Sequence, residues 1–131
     1  MNEGSQYLLA LYEAERERSP PIPSGLLAER LDRSPAATTE MLQRLDERGL
    51  VSYESYQGAT LTEEGRETAE VYFENYRVLA RFFRDILELE EYNEEARQVA
   101  CTLSPQVTAR LADTLLADDG DQPSGTGPFL F

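Results

Sequence analysis

The chain has 131 residues, 40% of them hydrophobic, with one cysteine, no histidine, and a net charge of −13 against 12 basic residues that are all arginine. That length suits one domain, or a small domain with an appended helical region, and the apolar content suffices for a core. A lone cysteine excludes an internal disulfide framework, no run of 18 apolar residues offers a membrane span, and no basic-then-apolar start suggests secretion, so a cytoplasmic setting is expected.

The first helix is predicted from about Ser5 to Glu17, with Tyr7, Leu8, Leu11 and Tyr12 on its buried side and Glu13, Glu15, Arg16 and Glu17 at its wet end. Ser19-Pro20-Pro21-Ile22-Pro23 is a stiff connector, because three prolines exclude helix. Leu26, Leu27, Ala28 and Leu31 then form an apolar stripe at helical spacing, with Ser24 at the position expected of an N-cap. Asp32-Arg33-Ser34-Pro35 breaks that helix and starts another, serine capping and proline opening it. This third helix, about Pro35 to Arg48, is expected to bury Ala37, Met41, Leu42 and Leu45 and to show Thr38, Thr39, Gln43, Arg44 and Glu47, with Gly49 ending it. Val51-Ser52-Tyr53-Glu54 and Ala59-Thr60-Leu61-Thr62 alternate as short strands joined across Ser55-Tyr56-Gln57-Gly58. Two helices, a tight turn and a two-stranded ribbon make a winged helix-turn-helix, which offers a helix to the DNA major groove and a ribbon to the backbone beside it.

A long helix starts near Glu63, where Thr62 caps and Glu63 and Glu64 suit the positive end of the helix dipole. Its apolar positions, among them Ala69, Val71, Tyr72, Phe73, Tyr76, Leu79, Ala80 and Phe83, continue to Ile86 and Leu87. They exceed what one helix face of a small monomer hides, so a second copy of the chain is expected to cover part of them. Two further helices follow, about Asn93 to Leu103 and Pro105 to Ala117, the second opened by Ser104-Pro105. From Asp118 the sequence DDGDQPSGTGPFLF reads as a flexible acidic tail ending in Phe129-Leu130-Phe131, which either docks on a groove or has no role. The fold class is therefore mainly α: a winged helix-turn-helix over 1–66, a long linker helix leading a helical dimerisation region over 67–117, and a tail over 118–131.

The acidity is spread evenly: 2 arginines against 4 acids in 1–19, 5 against 8 in 20–66, 5 against 10 in 67–117, and none against 3 in 118–131. Duplex DNA is a polyanion, so this coat opposes a DNA-binding reading in dilute buffer. At 1 M ionic strength the screening length falls to about 3 Å, and repulsion beyond contact range vanishes. An even acidic coat without lysine resembles proteins that work in molar salt, and a basic partner is the alternative. Glu90, Glu91, Glu94 and Glu95 form a solvated acidic face rather than a cation site.

On the winged motif, the candidate base readers are Ala36, Ala37, Thr39 and Glu40, with Gln43 one turn later. Arg33, Ser34, Thr38, Arg44 and Arg48 are candidates for phosphates, as are Tyr56 and Gln57 at the wing tip. Glu40 opposes phosphate and is expected either to accept from a cytosine amino group or to recruit a cation. No catalytic pair, glycine-rich phosphate loop or metal-ligand spacing points to an enzyme.

SQYLLALYEAE, LLAERLDRSPAATTEMLQRLDERGLV, YESYQGATLTEEGRETA, YRVLARFFRDILEL and YNEEARQVACTLSPQVTARL together resemble the DtxR/MntR family of metal-responsive transcriptional repressors, over about Ser5 to Leu116. The resemblance implies a homodimer with two DNA-reading helices; the SH3-like domain of longer relatives has no counterpart in this sequence. It also implies metal ligands at positions that here hold Gln6, Leu9, Tyr76, Ala80, Asn93, Arg97, Ala100 and Cys101. Leucine, alanine and arginine supply no donor to a divalent transition metal, so no metal and no other cofactor is expected. Three substitutes stand open: an apolar or aromatic effector pocket lined by Tyr7, Tyr76 and Cys101, redox sensing by Cys101 with Arg97 one turn away lowering its pKa, or a dimer without a ligand. The expected partners are double-stranded DNA and a second copy, with no membrane and an unidentified effector. The alternative is a winged-helix protein-interaction module that has lost DNA binding.

Overall fold

The computed structural model describes residues 3–115. Its elements are α1 (Glu3–Glu17), α2 (Ser24–Leu31), α3 (Pro35–Glu47), β1 (Val51–Glu54), β2 (Gly58–Leu61), α4 (Glu63–Asp85), α5 (Tyr92–Ala100) and α6 (Pro105–Leu115). The tail from Asp118, with Phe129-Leu130-Phe131, lies outside the described residues. Two compact units meet inside α4, between Phe73 and Glu74.

The first unit is built around one apolar cluster. Tyr7, Leu8 and Leu11 of α1, Leu27 of α2, Leu42 and Leu45 of α3, Val51 and Leu61 of the ribbon and Ala69 of α4 are all nearly excluded from water. Asp32 takes a left-handed conformation (φ 57°) to end α2, and its N–H donates to the carbonyls of Ala28 and Glu29. Ser34 then caps α3, its Oγ accepting from the Ala37 N–H at 3.1 Å, with Pro35 in the first turn, as the sequence predicts. The strands pair antiparallel in the register Val51 with Leu61 and Glu54 with Gly58. Thr62 Oγ1 accepts from the Gly65 N–H at 3.0 Å, the expected cap of α4, and also donates to the Gly49 carbonyl at 2.7 Å.

The connector between α1 and α2 does more than stiffen the chain. Ile22 forms an isolated antiparallel bridge to Ala59, exchanging backbone hydrogen bonds of 2.8 and 2.9 Å, and so ties the connector to the ribbon. The bridge requires glycine at 58: φ is +127°, and a β-carbon would lie 2.2 Å from the Ile22 carbonyl oxygen. Gly65 is required for a similar reason, since a β-carbon there would lie 1.8 Å from the Leu50 carbonyl oxygen.

Four expectations about local structure are corrected. Ser24 is not the cap of α2. It is the first helical residue, and Pro23, held extended by the neighbouring bridge, takes the cap position without a side-chain hydrogen bond. Glu15 is not at a wet end: its side chain is 3% exposed, and it accepts from the Leu61 N–H at 2.8 Å and from Arg66 at 2.8 Å. On α3 the order of burial is reversed, with Ala37 exposed and Thr38 completely buried. Finally α5 stops at Ala100 rather than Leu103, because buried Asn75 of α4 donates to the carbonyls of Ala100 and Leu103 (3.0 and 3.1 Å) and so holds the chain beyond the helix end.

The second unit has a thinner core. Leu79, Ala96 and Ala100 are buried in it, and Tyr76, Ala80, Phe83, Val99, Leu103 and Leu111 pack partly buried around them. Ser104 caps α6 through a 3.3 Å hydrogen bond from the Val107 N–H. Ile86, Leu87, Leu89 and Val107 remain exposed, the first three beyond the end of α4.

Candidate functional site

The second helix of the helix-turn-helix presents its candidate readers as a contiguous outer face. Ala36, Ala37, Glu40 and Gln43 are exposed and Thr39 half-exposed, so all five stand at the start or on the outside of α3. Ala37, expected in the core, joins this face. Its methyl offers apolar contact of the kind that thymine methyls accept. Arg33, Ser34, Arg44 and Arg48 are exposed around it. Arg33 donates to the Leu31 carbonyl at 3.2 Å, which folds its guanidinium back over the turn.

Thr38 is withdrawn from this face. Its hydroxyl lies 3.2 Å from the Tyr7 hydroxyl, and the two share a buried hydrogen bond between α1 and α3. An α-helix turns 100° per residue, and in this register Leu42 and Leu45 point inward together with Thr38. Thr38 therefore holds the helix rather than touching a phosphate. Tyr7, at 2% exposure, is a core residue of the first unit.

Glu40 does not stand alone. Arg44, one turn later, donates to its carboxylate at 3.3 Å, and both side chains are about two-thirds exposed. An exposed i,i+4 pair contributes about 0.3–0.5 kcal/mol, so either partner can be released to a base or phosphate at small cost. Tyr56 stands fully exposed at the tip of the wing in the left-handed region (φ 68°), with Gln57 exposed beside it. Both share a cavity of about 170 Å³ with Pro23, Ser24 and Gly25 at the start of α2. That juxtaposition adds Ser24 and Gly25 to the candidate phosphate contacts. The Ile22–Ala59 bridge ties the start of α2 to the wing across more than 30 residues, a contact that carries no local sequence signal.

The positions at which the resemblance implies metal ligands hold a different chemistry. In the first unit Gln6 is half-buried and Leu9 is 2% exposed, an apolar side chain in the core. In the second, the Tyr76 hydroxyl donates to Asn93 Oδ1 at 2.7 Å, and the Arg97 guanidinium lies over the Tyr76 ring, 5.0 Å from its centroid. Three of the implied positions are thus engaged with one another, and Ala80 and Ala100 add only methyl groups. Among the described residues no three of His, Cys, Asp and Glu come together as a metal site. The donor set does not fit a divalent transition metal. These places hold neither imidazole nor carboxylate, Cys101 is their one good donor, and a permanent cation occupies another.

Cys101 follows α5 as its C-cap and is partly buried. Burial pushes its thiol up to about 11, and the Arg97 charge opposes this only as the smaller effect. The thiol therefore stays protonated near neutrality, which weighs against redox sensing among the three open substitutes. Cys101 does not line the cavity that Tyr76 shares with Tyr92 and Asn93.

No helix among the described residues is long and apolar enough to cross a membrane. The sequence matches two family models: the iron-dependent repressor N-terminal DNA-binding domain over residues 1–59, and the iron-dependent repressor metal-binding and dimerisation domain over residues 62–122. It is 36% identical over 107 residues to an uncharacterised HTH-type transcriptional regulator of Methanocaldococcus jannaschii, covering 80% of this chain and 86% of that one. It is 30% identical over 111 residues to the diphtheria toxin repressor of Corynebacterium glutamicum, covering 83% of this chain but 48% of the relative. Among solved structures, a manganese-dependent transcriptional repressor in complex with manganese matches with a TM-score of 0.75 at 27% identity, over 83% of this chain and 50% of the other. The chain thus spans most of the Methanocaldococcus jannaschii relative and about half of the longer repressors. With its winged helix-turn-helix and the helical region that follows matched in order, the chain belongs to the DtxR/MntR (iron-dependent repressor) family of transcriptional regulators.

Proposed function

We propose that the chain acts as a homodimeric, sequence-specific DNA-binding transcriptional regulator that has no need of a metal. Residues 1–66 serve as the DNA-binding part and 67–117 as the dimerisation part. The single observation that carries the metal-free reading is the Tyr76–Asn93 hydrogen bond capped by Arg97. A metal would have to break it and then sit beside a fixed positive charge. The diphtheria toxin repressor and the manganese-dependent repressor supply the DNA-binding and regulatory part of the proposal, through the matched winged region.

In this reading α3 enters the major groove with Ala36, Ala37, Thr39, Glu40 and Gln43 toward base edges. Arg33, Ser34, Arg44 and Arg48 lie toward the flanking phosphates, and the wing tip reaches the neighbouring backbone through Tyr56 and Gln57. The exposed Ile86, Leu87, Leu89 and Val107 suit a second copy of the chain, because a thin core leaves its apolar surface for a partner to cover. No enzymatic role is proposed.

The test is retention of genomic fragments from the source organism on the full chain in molar potassium chloride, with and without a chelator. The expected result is a set of sequence-related fragments retained equally in both. Retention that requires added manganese, iron or zinc overturns the metal-free part alone. Retention of no fragment under either condition overturns the DNA-binding reading and favours a protein-interaction module.

A further inference from the structure

At the tip of the ribbon the Gln57 N–H donates to the Glu54 carbonyl at 3.1 Å and closes a four-residue turn, with Tyr56 third in it at φ 68°. Glycine or asparagine fills that position without strain, whereas a larger side chain is crowded there by the following carbonyl oxygen. The ring gains nothing from the chain in return. It is fully exposed, while the other six tyrosines of the sequence are all buried or partly buried. A strained backbone that carries an unpacked aromatic ring points to a contact made outside the chain.

The tip is also braced. Ile22 pairs with Ala59, and Gly58 lies so close to that bridge that a β-carbon would stand 2.2 Å from the Ile22 carbonyl oxygen. Pro23, Ser24 and Gly25 stand with Tyr56 and Gln57 around one small cavity. The ring therefore projects from a fixed turn, and little ordering of the backbone is left to be lost on binding.

Charge decides what such a ring can meet. Residues 51–62 include no arginine and one acid, Glu54, so the ribbon itself has no cation to offer a phosphate. A neutral phenol suits the floor of the minor groove instead. There A·T and T·A pairs present only acceptors, adenine N3 and thymine O2, whereas G·C adds the guanine amino donor. A phenol hydroxyl donates to those acceptors, and a flat apolar ring is of the kind that minor-groove proteins insert.

From this geometry we infer that Tyr56 is a specificity-determining residue: its ring enters the minor groove beside the segment that α3 occupies, and its hydroxyl selects A·T pairs there. The inference rests on the DNA-binding reading and deepens it, since the ring passes the backbone and reads positions that α3 does not reach.

Selection from a duplex library with a random core, in molar potassium chloride, tests it on the full chain and on Tyr56→Phe and Tyr56→Gly. Wild type is expected to enrich one core motif flanked by A·T pairs. Both variants should keep the core and lose the flanking preference. Tyr56→Gly should also bind the selected duplex about tenfold more weakly while melting no lower, because glycine takes this turn without strain. Changing the flanking A·T pairs to G·C should weaken wild type about tenfold, and changing them to inosine·cytosine should restore it. Inosine lacks the amino group in the minor groove yet keeps a guanine-like major groove, so only a minor-groove reader gives that reversal. Flanks without A·T preference, an inosine duplex as weak as the guanine one, or a Tyr56→Gly profile equal to wild type overturns the proposal and leaves the DNA-binding reading standing. Enrichment of no sequence by wild type overturns both.

Discussion

The two units of this chain solve the problem of burial differently. The first encloses Tyr7, Leu8, Leu11, Leu27, Leu42, Leu45, Val51, Leu61 and Ala69 in one cluster drawn from four helices and both strands. Among the described residues, the second buries Leu79, Ala96 and Ala100 in its cluster and leaves Ile86, Leu87, Leu89 and Val107 exposed. The first unit is a finished globule and can present α3 as a rigid reading element. The second leaves apolar side chains exposed, which suits the homodimer proposed above.

The sharpest way to break this contrast is a cavity in the first unit. Leu42→Ala removes a fully buried side chain and is expected to cost about 3 kcal/mol, read as a lower midpoint in denaturant titration. If the loss is below about 1 kcal/mol, the first unit is no more closely packed than the second. Charging the exposed face, as Ile86→Asp with Leu87→Asp, should loosen the dimer by about 2 kcal/mol in sedimentation equilibrium without lowering helix content. An unchanged association constant places the subunit contact elsewhere. Thr38→Val leaves the buried Tyr7 hydroxyl without its partner and should cost about 1–2 kcal/mol of stability while α3 keeps its exposed face. If Thr38→Val is neutral in stability yet abolishes DNA binding, the hydroxyl reads DNA after all.

The smallest effect concerns Cys101. Its thiol in the folded chain ionises at about 11, above the ordinary value of 9.0. The unfolded chain therefore loses its proton first as pH rises. The contribution to stability is complete below about 9 and is lost between about 9 and 11. Alkylation by iodoacetamide should accordingly be slow at neutral pH and accelerate through that window, which mass spectrometry of the labelled chain reads directly. Rapid labelling at pH 7 would make Cys101 a reactive thiolate and restore the redox reading.

Much of the winged region is legible residue by residue. Ser34-Pro35 starts α3, Thr62 starts α4, and the strands fall within one residue of where their alternation puts them. These are short-range effects: a cap hydroxyl reaches an N–H three residues on, and alternation is a property of neighbours. Where the reading fails, a distant partner is responsible in each case. Glu15 looks wet until β2 and Arg66 are brought to it, and Ser24 looks like a cap until Ile22 pairs with Ala59. The exchange of Ala37 and Thr38 has the same cause. A threonine is polar by itself, but opposite the Tyr7 hydroxyl it is a buried one with its hydrogen bond made.

The sequence by itself determined the order and kind of the elements, the family resemblance and the scarcity of donors at the implied metal positions, because each depends on residue identity and short spacing. Only the tertiary structure decided which side chains face outward on α3, what engages Tyr76 and Arg97, and how the wing tip is braced. Those facts depend on which surfaces meet across tens of residues, and an isolated stretch of chain carries no record of its eventual neighbours.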